Sequence, residues 1–344
     1  MFNPLLIQEA SLYKSSFPAR YAGRLSSVMD VRTREGNLRE WAFTGSIGPL
    51  SVNTVLEGPV IRDKASFIIS GRRFIPGAIL RNLSEKDKQD EGLDGYTRYV
   101  FGDLNVKFNA MPSSRDRLYL SYYTGSDMYR DITERFAPME ESNLFESFRK
   151  RLEWGNQVGI LRWNHQFGPS VFANATITWS KFALQSLDLN KFTETILTPR
   201  VTISGFESRE FKSEIEDVTF KWDFDMATGR NSRLRFGLYA MHHTFSPKAI
   251  SFNDQAQVDD FIVDEETLDD ALFSALQVRA WEQGLYLENE LSFGTGGLLN
   301  LGMHLSAFQV EGRTYMYPQP RAHVLLPIGD RVTLEGGVSM MVQH

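Results

Sequence analysis

Three clusters in this 344-residue chain carry residue types that could do chemistry. His242-His243 offers two imidazoles, but neighbours on a strand point to opposite faces and cannot share one metal ion without distortion. Residues 254–270 hold eight carboxylates in seventeen positions. Calcium takes such oxygens, yet the spacing of a calcium-binding loop between helices is absent, and a solvated loop explains the run equally well. Gly294-Thr295-Gly296-Gly297 resembles a phosphate loop, but an alternating strand pattern follows it instead of a helix. No nucleophile elbow accompanies a Ser/His/Asp set. The chain has no cysteine, which removes disulfides and cysteine metal sites. These residues predict no enzyme, no metal centre and no cofactor.

The elements that would carry these residues are strands with one greasy and one wet face. Val218, Phe220, Trp222 and Phe224 alternate with Thr219, Lys221, Asp223 and Asp225. Leu299, Leu301, Met303, Leu305 and Ala307 alternate with Asn300, Gly302, His304 and Ser306. Period two is the strand signature, and about thirteen such segments follow Glu40. Short turns are expected at 111–116, 167–170, 226–232, 293–298 and 327–331. Long polar excursions are expected at 74–95, 127–151, 187–212 and 245–274. Short turns on one rim and long loops on the other are the layout of an antiparallel transmembrane β-barrel. The wet faces would line its lumen, with Lys107, Lys221, Asp223, Glu288 and Glu290 as candidate lumen-facing charges. Phe220, Trp222, Phe224, Leu299, Leu301 and Met303 would face outward.

Composition bounds the partners. A mean hydropathy of -0.29 and no long apolar run exclude a membrane-spanning helix, while a barrel needs only every second residue apolar. A net charge of -6 without a basic stripe predicts no nucleic-acid partner. The first ten residues, MFNPLLIQEA, lack the basic and apolar regions of a secretory signal.

The segment at 13–37, YKSSFPARYAGRLSSVMDVRTREGN, resembles the end of the plug domain of TonB-dependent outer-membrane receptors. Pro18, Arg20 and Tyr21 stand at the approach, Gly23 and Arg24 at the turn, and Asp30 in the closing strand. The likeness, nearest to Bacteroidetes-type receptors, continues through Glu57-Gly58-Pro59, SFIISGRR at 66–73, YYTGSD at 122–127 and Trp154-Gly155-Asn156. It goes on through LRWNH at 161–165, DVTFKWDFD at 217–225, RFGL at 235–238 and YMYPQPR at 315–321. It implies residues 1–37 as the C-terminal part of a plug and 38–344 as an incomplete barrel. Complete members of the family have a signal peptide, a TonB box, a full plug and a barrel of many more strands, so the resemblance implies a fragment cut at both ends. It further implies uptake of a scarce large nutrient, a siderophore, cobalamin or an oligosaccharide. The implied partners are the inner-membrane TonB complex (through plug sequence outside this chain), a nutrient at the extracellular loops and outer-membrane lipid. An ion pair between a plug arginine and the barrel wall is expected. A non-transporting surface β-protein, such as an adhesin or structural barrel, is the alternative.

Overall fold

The computed structural model describes residues 3–14, 17–21, 23, 25–246, 250–259, 261–268, 277–329 and 331–343. After a short 3-10 turn at Pro4–Leu6, β1 (Ile7–Lys14) pairs antiparallel with β2 (Ser27–Thr33) as a separate two-stranded sheet. All later strands form one antiparallel sheet. Its members begin with β3 (Ala42–Ile47), β4 (Ser51–Ile61), β5 (Ala65–Phe74), β6 (Asp94–Ala110) and β7 (Asp116–Pro138). Next come β8 (Ser142–Gly168), β9 (Val171–Leu197), β10 (Arg200–Ala227) and β11 (Ser232–Ser246). β12 (Ile250–Val258) and β13 (Phe261–Leu268) precede β14 (Val278–Phe293), β15 (Gly297–Val310), β16 (Arg313–Ile328) and β17 (Val332–Ser339). Thirteen strands follow one another as neighbours from β3 to β17, while the β12–β13 hairpin leans on β10 outside that path.

The two faces are inverted relative to a water-soluble sheet. On β14, Trp281, Leu285 and Leu287 are exposed, whereas Tyr286 and Glu288 are buried. On β15, Leu301, Met303 and Leu305 are exposed, and His304 and Ser306, on the alternate face, are shut off from solvent. Leu285 is 57% exposed and Glu288 is 0%. Phe220 is exposed on the same face as Trp222 and Phe224, which are half-covered because their rings lie 4.9 Å apart and Phe224 stacks on Phe236 at 5.0 Å. Leu299 is half-buried on that face too. Along β10 the outward residues Met226, Phe224, Trp222, Phe220 and Val218 are apolar, and Glu216 and Glu214 follow. That run is close to the ~10 residues a tilted strand needs to cross a bilayer. Indole N–H groups mark its borders, Trp163 donating to Asp116 at 3.0 Å and Trp179 to Glu216 at 2.7 Å.

All five expected short turns form, and 62–64 adds a sixth on the same rim. The opposite rim departs from expectation. Segments 127–151 and 187–212 are not loops but continuous strand, because β7–β8 and β9–β10 pair without a register shift up to tight turns at 139–141 and 198–199. β8, β9 and β10 run 27, 27 and 28 residues, so they project on the order of 40 Å past a bilayer-sized band. Polar composition suggested loops there, but antiparallel pairing satisfies every backbone group whatever the side chains are. Segment 74–95 contains a helix, α1 (Gly77–Asp90), lying on the upper part of β6 where β5 has ended. In 245–274 the described backbone is strand.

Curvature follows from what the N-terminal residues touch. Leu6 packs on Val55 of β4 and Ile68 of β5, while Arg321 of β16 binds the carbonyl of Tyr21. Laid flat, β4 and β16 would stand ~48 Å apart, against ~27 Å for a strand the length of β1. The sheet therefore bends around the N-terminal segment as an open, partial barrel wall.

Candidate functional site

Among the described residues, much of the buried chemistry lies between the N-terminal segment and the polar face of the sheet. Residues 17–21 are held almost entirely through their backbone. Arg321 Nη1 donates to the carbonyls of Phe17, Pro18 and Tyr21 at 3.0, 2.9 and 2.7 Å, and its guanidinium lies 4.8 Å from the centre of the Phe17 ring. His304 Nδ1 is 2.8 Å from the Ala19 carbonyl, a contact that requires the proton on Nδ1. Phe17 and Ala19 are fully buried. A methyl group on Gly302 would come within 2.6 Å of the Ala19 Cβ, so glycine there lets the segment seat.

Arg20 is the one side chain of this stretch that reaches the wall as an ion. Its Nη1 stands 2.6 Å from Glu288 Oε1, which also accepts from Arg235 at 3.1 Å and Asn300 at 3.2 Å. Arg235 bonds Glu290 at 3.0 Å and Asp225 at 3.2 Å. Burial is the largest single influence and lowers the Arg20 pKa, but the Glu288 charge and the neighbouring Tyr21 together outweigh it and hold the group above its ordinary value. The Tyr21 hydroxyl, which donates to Asp30 at 3.0 Å, is pushed up to about 12, chiefly by burial.

A second set of contacts anchors the other end of the segment. Lys107 donates to the carbonyls of Thr33 and Arg34 at 3.1 and 3.3 Å. Arg34 pairs with Glu57, which also accepts from the Asn37 N–H at 3.0 Å. Ser66 donates to the Gly36 carbonyl at 2.6 Å. Between the two anchors a cavity of 860 Å³ is lined by Arg20, Asp30, Lys107, Tyr119, Arg162 and Lys221, among others.

Lys107, Lys221, Asp223, Glu288 and Glu290 all lie on the inward face, but they do different things. Glu288 and Glu290 meet on Arg235, Lys107 binds the segment's backbone, and Lys221 lies 3.3 Å from Asp223. Asp223 accepts the Tyr286 hydroxyl at 2.7 Å. Of the N-terminal set, Pro18, Arg20, Tyr21 and Asp30 join this interface, and Gly23 takes φ +67°, a conformation that favours glycine. Arg24 lies outside the described residues. His242 and His243 do face opposite ways, His242 against Trp281 and His243 2.7 Å from Asp217. Part of the acidic stretch 254–270 lies outside the described residues.

Sequence reasoning missed Arg321, His304 and Arg235. Period two puts all three on polar faces, but nothing local shows that they would grip carbonyls and carboxylates so distant in the chain. No family model matches the sequence, and no curated protein matches it. Five solved chains match. Among them is the alcaligin outer membrane receptor FauA from Bordetella pertussis, 8% identical over 99% of this chain and 75% of that one, with a TM-score of 0.23. A score that low carries no structural argument.

Proposed function

We propose that the chain is part of an outer-membrane receptor of the TonB-dependent kind, which imports a scarce large nutrient. In this reading residues 1–37 are the end of the plug, 38–344 are barrel wall, and the chain does no catalysis. The observation that carries it is the inversion of faces: apolar side chains are exposed on strand after strand, while the polar face is closed by a separate segment. Lipid makes such an outer face favourable, whereas a water-soluble surface limits apolar patches to a few hundred Å². The motifs shared with the plug and barrel of such receptors supply the transport part. Ferric siderophores, cobalamin and oligosaccharides are the candidate cargo, TonB the energy source and the outer membrane the location.

Transport requires the segment at 17–21 to move relative to the wall. This chain has no native cysteine, so Arg20→Cys and Glu288→Cys can be joined by a short bis-maleimide in cells carrying the receptor, with any cysteine outside this chain replaced by serine. Uptake of a radiolabelled ferric siderophore, cobalamin or oligosaccharide should then fall at least tenfold, with surface binding kept. Uptake that persists with the link formed would contradict the reading.

A further inference from the structure

The cavity of 860 Å³ has a chemistry that holding the N-terminal segment does not explain. That segment forms one side of it through Arg20, Asp30, Arg32 and Glu35, and the wall forms the other. Register fixes how the wall presents its charges. Tyr119 of β7 stands directly opposite Arg162 of β8, Arg162 opposite Thr176 of β9, and Thr176 opposite Lys221 of β10. Tyr119, Arg162 and Lys221 line the cavity, and Thr176 shares their face because directly opposed residues do. Strands lie about 4.8 Å apart, which sets the backbones of Arg162 and Lys221 about 10 Å apart with only a threonine between them.

The cations of this row are incompletely matched. Arg162 lies 4.9 Å from the centre of the Tyr119 ring, and Lys107 lies 5.6 Å from the same ring. Among the described residues Arg162 bonds no carboxylate, and its Nε is buried without a hydrogen-bond partner. Lys221 has Asp223 at 3.3 Å, but that carboxylate also holds the Tyr286 hydroxyl. Two carboxylates belong to the lining itself. Asp30 accepts the Tyr21 hydroxyl, and Glu35 stands beside Lys107 and the Tyr119 hydroxyl. The other lining cations, Arg20 and Arg32, have Glu288 and Glu9 as partners. Arg162 is therefore the cation with nothing to answer it.

The rest of the lining selects the ligand. Val158 and Ile160, the inward residues of β8 next to Arg162, are apolar on an otherwise polar face, and Phe172 of β9 joins them. We propose that this chamber binds an organic polyanion, with one carboxylate on Arg162, a second on Lys221 and its carbon body on Val158, Ile160 and Phe172. Arginine bonds both oxygens of a carboxylate through its planar fork. Two cations about 10 Å apart match two acidic groups on one body better than a single small anion. An inorganic ion would leave the apolar patch bare, and a neutral sugar would leave Arg162 unanswered. A volume of 860 Å³ lies within the range of cavities that enclose small organic molecules. The site requires the segment and the wall together and does not depend on the membrane reading.

The test uses the full chain in bicelles with Thr176→Cys as its single thiol, since the sequence has no cysteine. An anionic methanethiosulfonate should label that thiol about tenfold faster than a cationic one, and high salt should narrow the gap. Tricarballylate should protect the thiol at concentrations where acetate, inorganic phosphate and glycerol do not. Arg162→Gln and Lys221→Gln should each weaken that protection about tenfold. Arg279→Gln, on the outer face of β14, should leave it unchanged. Labelling by a neutral reagent should keep the parental rate in every variant, which separates loss of charge from loss of fold. Equal rates for the anionic and cationic reagents would overturn the site, as would equal protection in the charge variants. Protection by phosphate as strong as by tricarballylate would overturn the organic ligand. Labelling by the neutral reagent as fast as in urea would show that no chamber encloses position 176, and would overturn the proposal outright.

Discussion

At the scale of single residues, the N-terminal segment is held by backbone capture, which makes Arg321 more important than any side chain of the segment itself. Removing its guanidinium leaves three carbonyls in a largely buried interface without their donor, and an unmet buried group costs about 1–3 kcal/mol. Arg321→Ala should therefore release residues 17–21, seen as trypsin cleavage after Arg20 that the parent chain resists. Gly302→Ala should do the same more weakly, by about 1–3 kcal/mol, because its methyl group meets Ala19. Equal protection in all three proteins would mean that the segment is held elsewhere. None of this was legible in the sequence. His304 and Ala19 are 285 positions apart and Arg321 and Phe17 are 304 apart, so only the fold brings them together. What could be read was the face: alternation put Lys107, Glu288 and Glu290 on the wet side, where they are found.

At the scale of elements, strand identity was legible wherever one face is apolar, and failed where both faces are polar. Phe220, Trp222 and Phe224 fixed the lower part of β10 through period two. Its upper part, with Glu207, Arg209 and Glu210, offers no such contrast and looked like a loop. Backbone pairing with β9 on one side and β12 on the other makes it strand all the same. The lower and upper parts should then be separable. Deleting residues 132–149, whose ends Ile132 and Arg149 are direct partners, and joining Asp131 to Lys150 through Asn-Gly preserves the register below. Asn-Gly favours the two-residue turn that such a hairpin needs. Parent and shortened chain should insert into lipid alike, with a stability loss within about 1–2 kcal/mol by urea titration in bicelles. Failure to insert would mean that the projecting arms, and not the apolar band, organise the wall.

At the scale of the whole molecule, inversion of the two faces determines everything else: the apolar face is turned outward, where the proposed function puts lipid, and the polar face meets the N-terminal segment. The first half of that statement was visible in the sequence as alternating faces, and the second only as likeness to a plug. Because the chain contains no cysteine, single cysteines can be placed at will and spin-labelled. The most direct measurement compares Phe220→Cys, Leu285→Cys and Met303→Cys with their neighbours Lys221→Cys, Tyr286→Cys and His304→Cys in bicelles. Nitroxides at the first three should collide with lipid-dissolved oxygen and be hidden from water-soluble nickel chelate, while those at the second three should be shielded from lipid oxygen. The reverse pattern, or equal nickel access at all six, would contradict a lipid-facing wall.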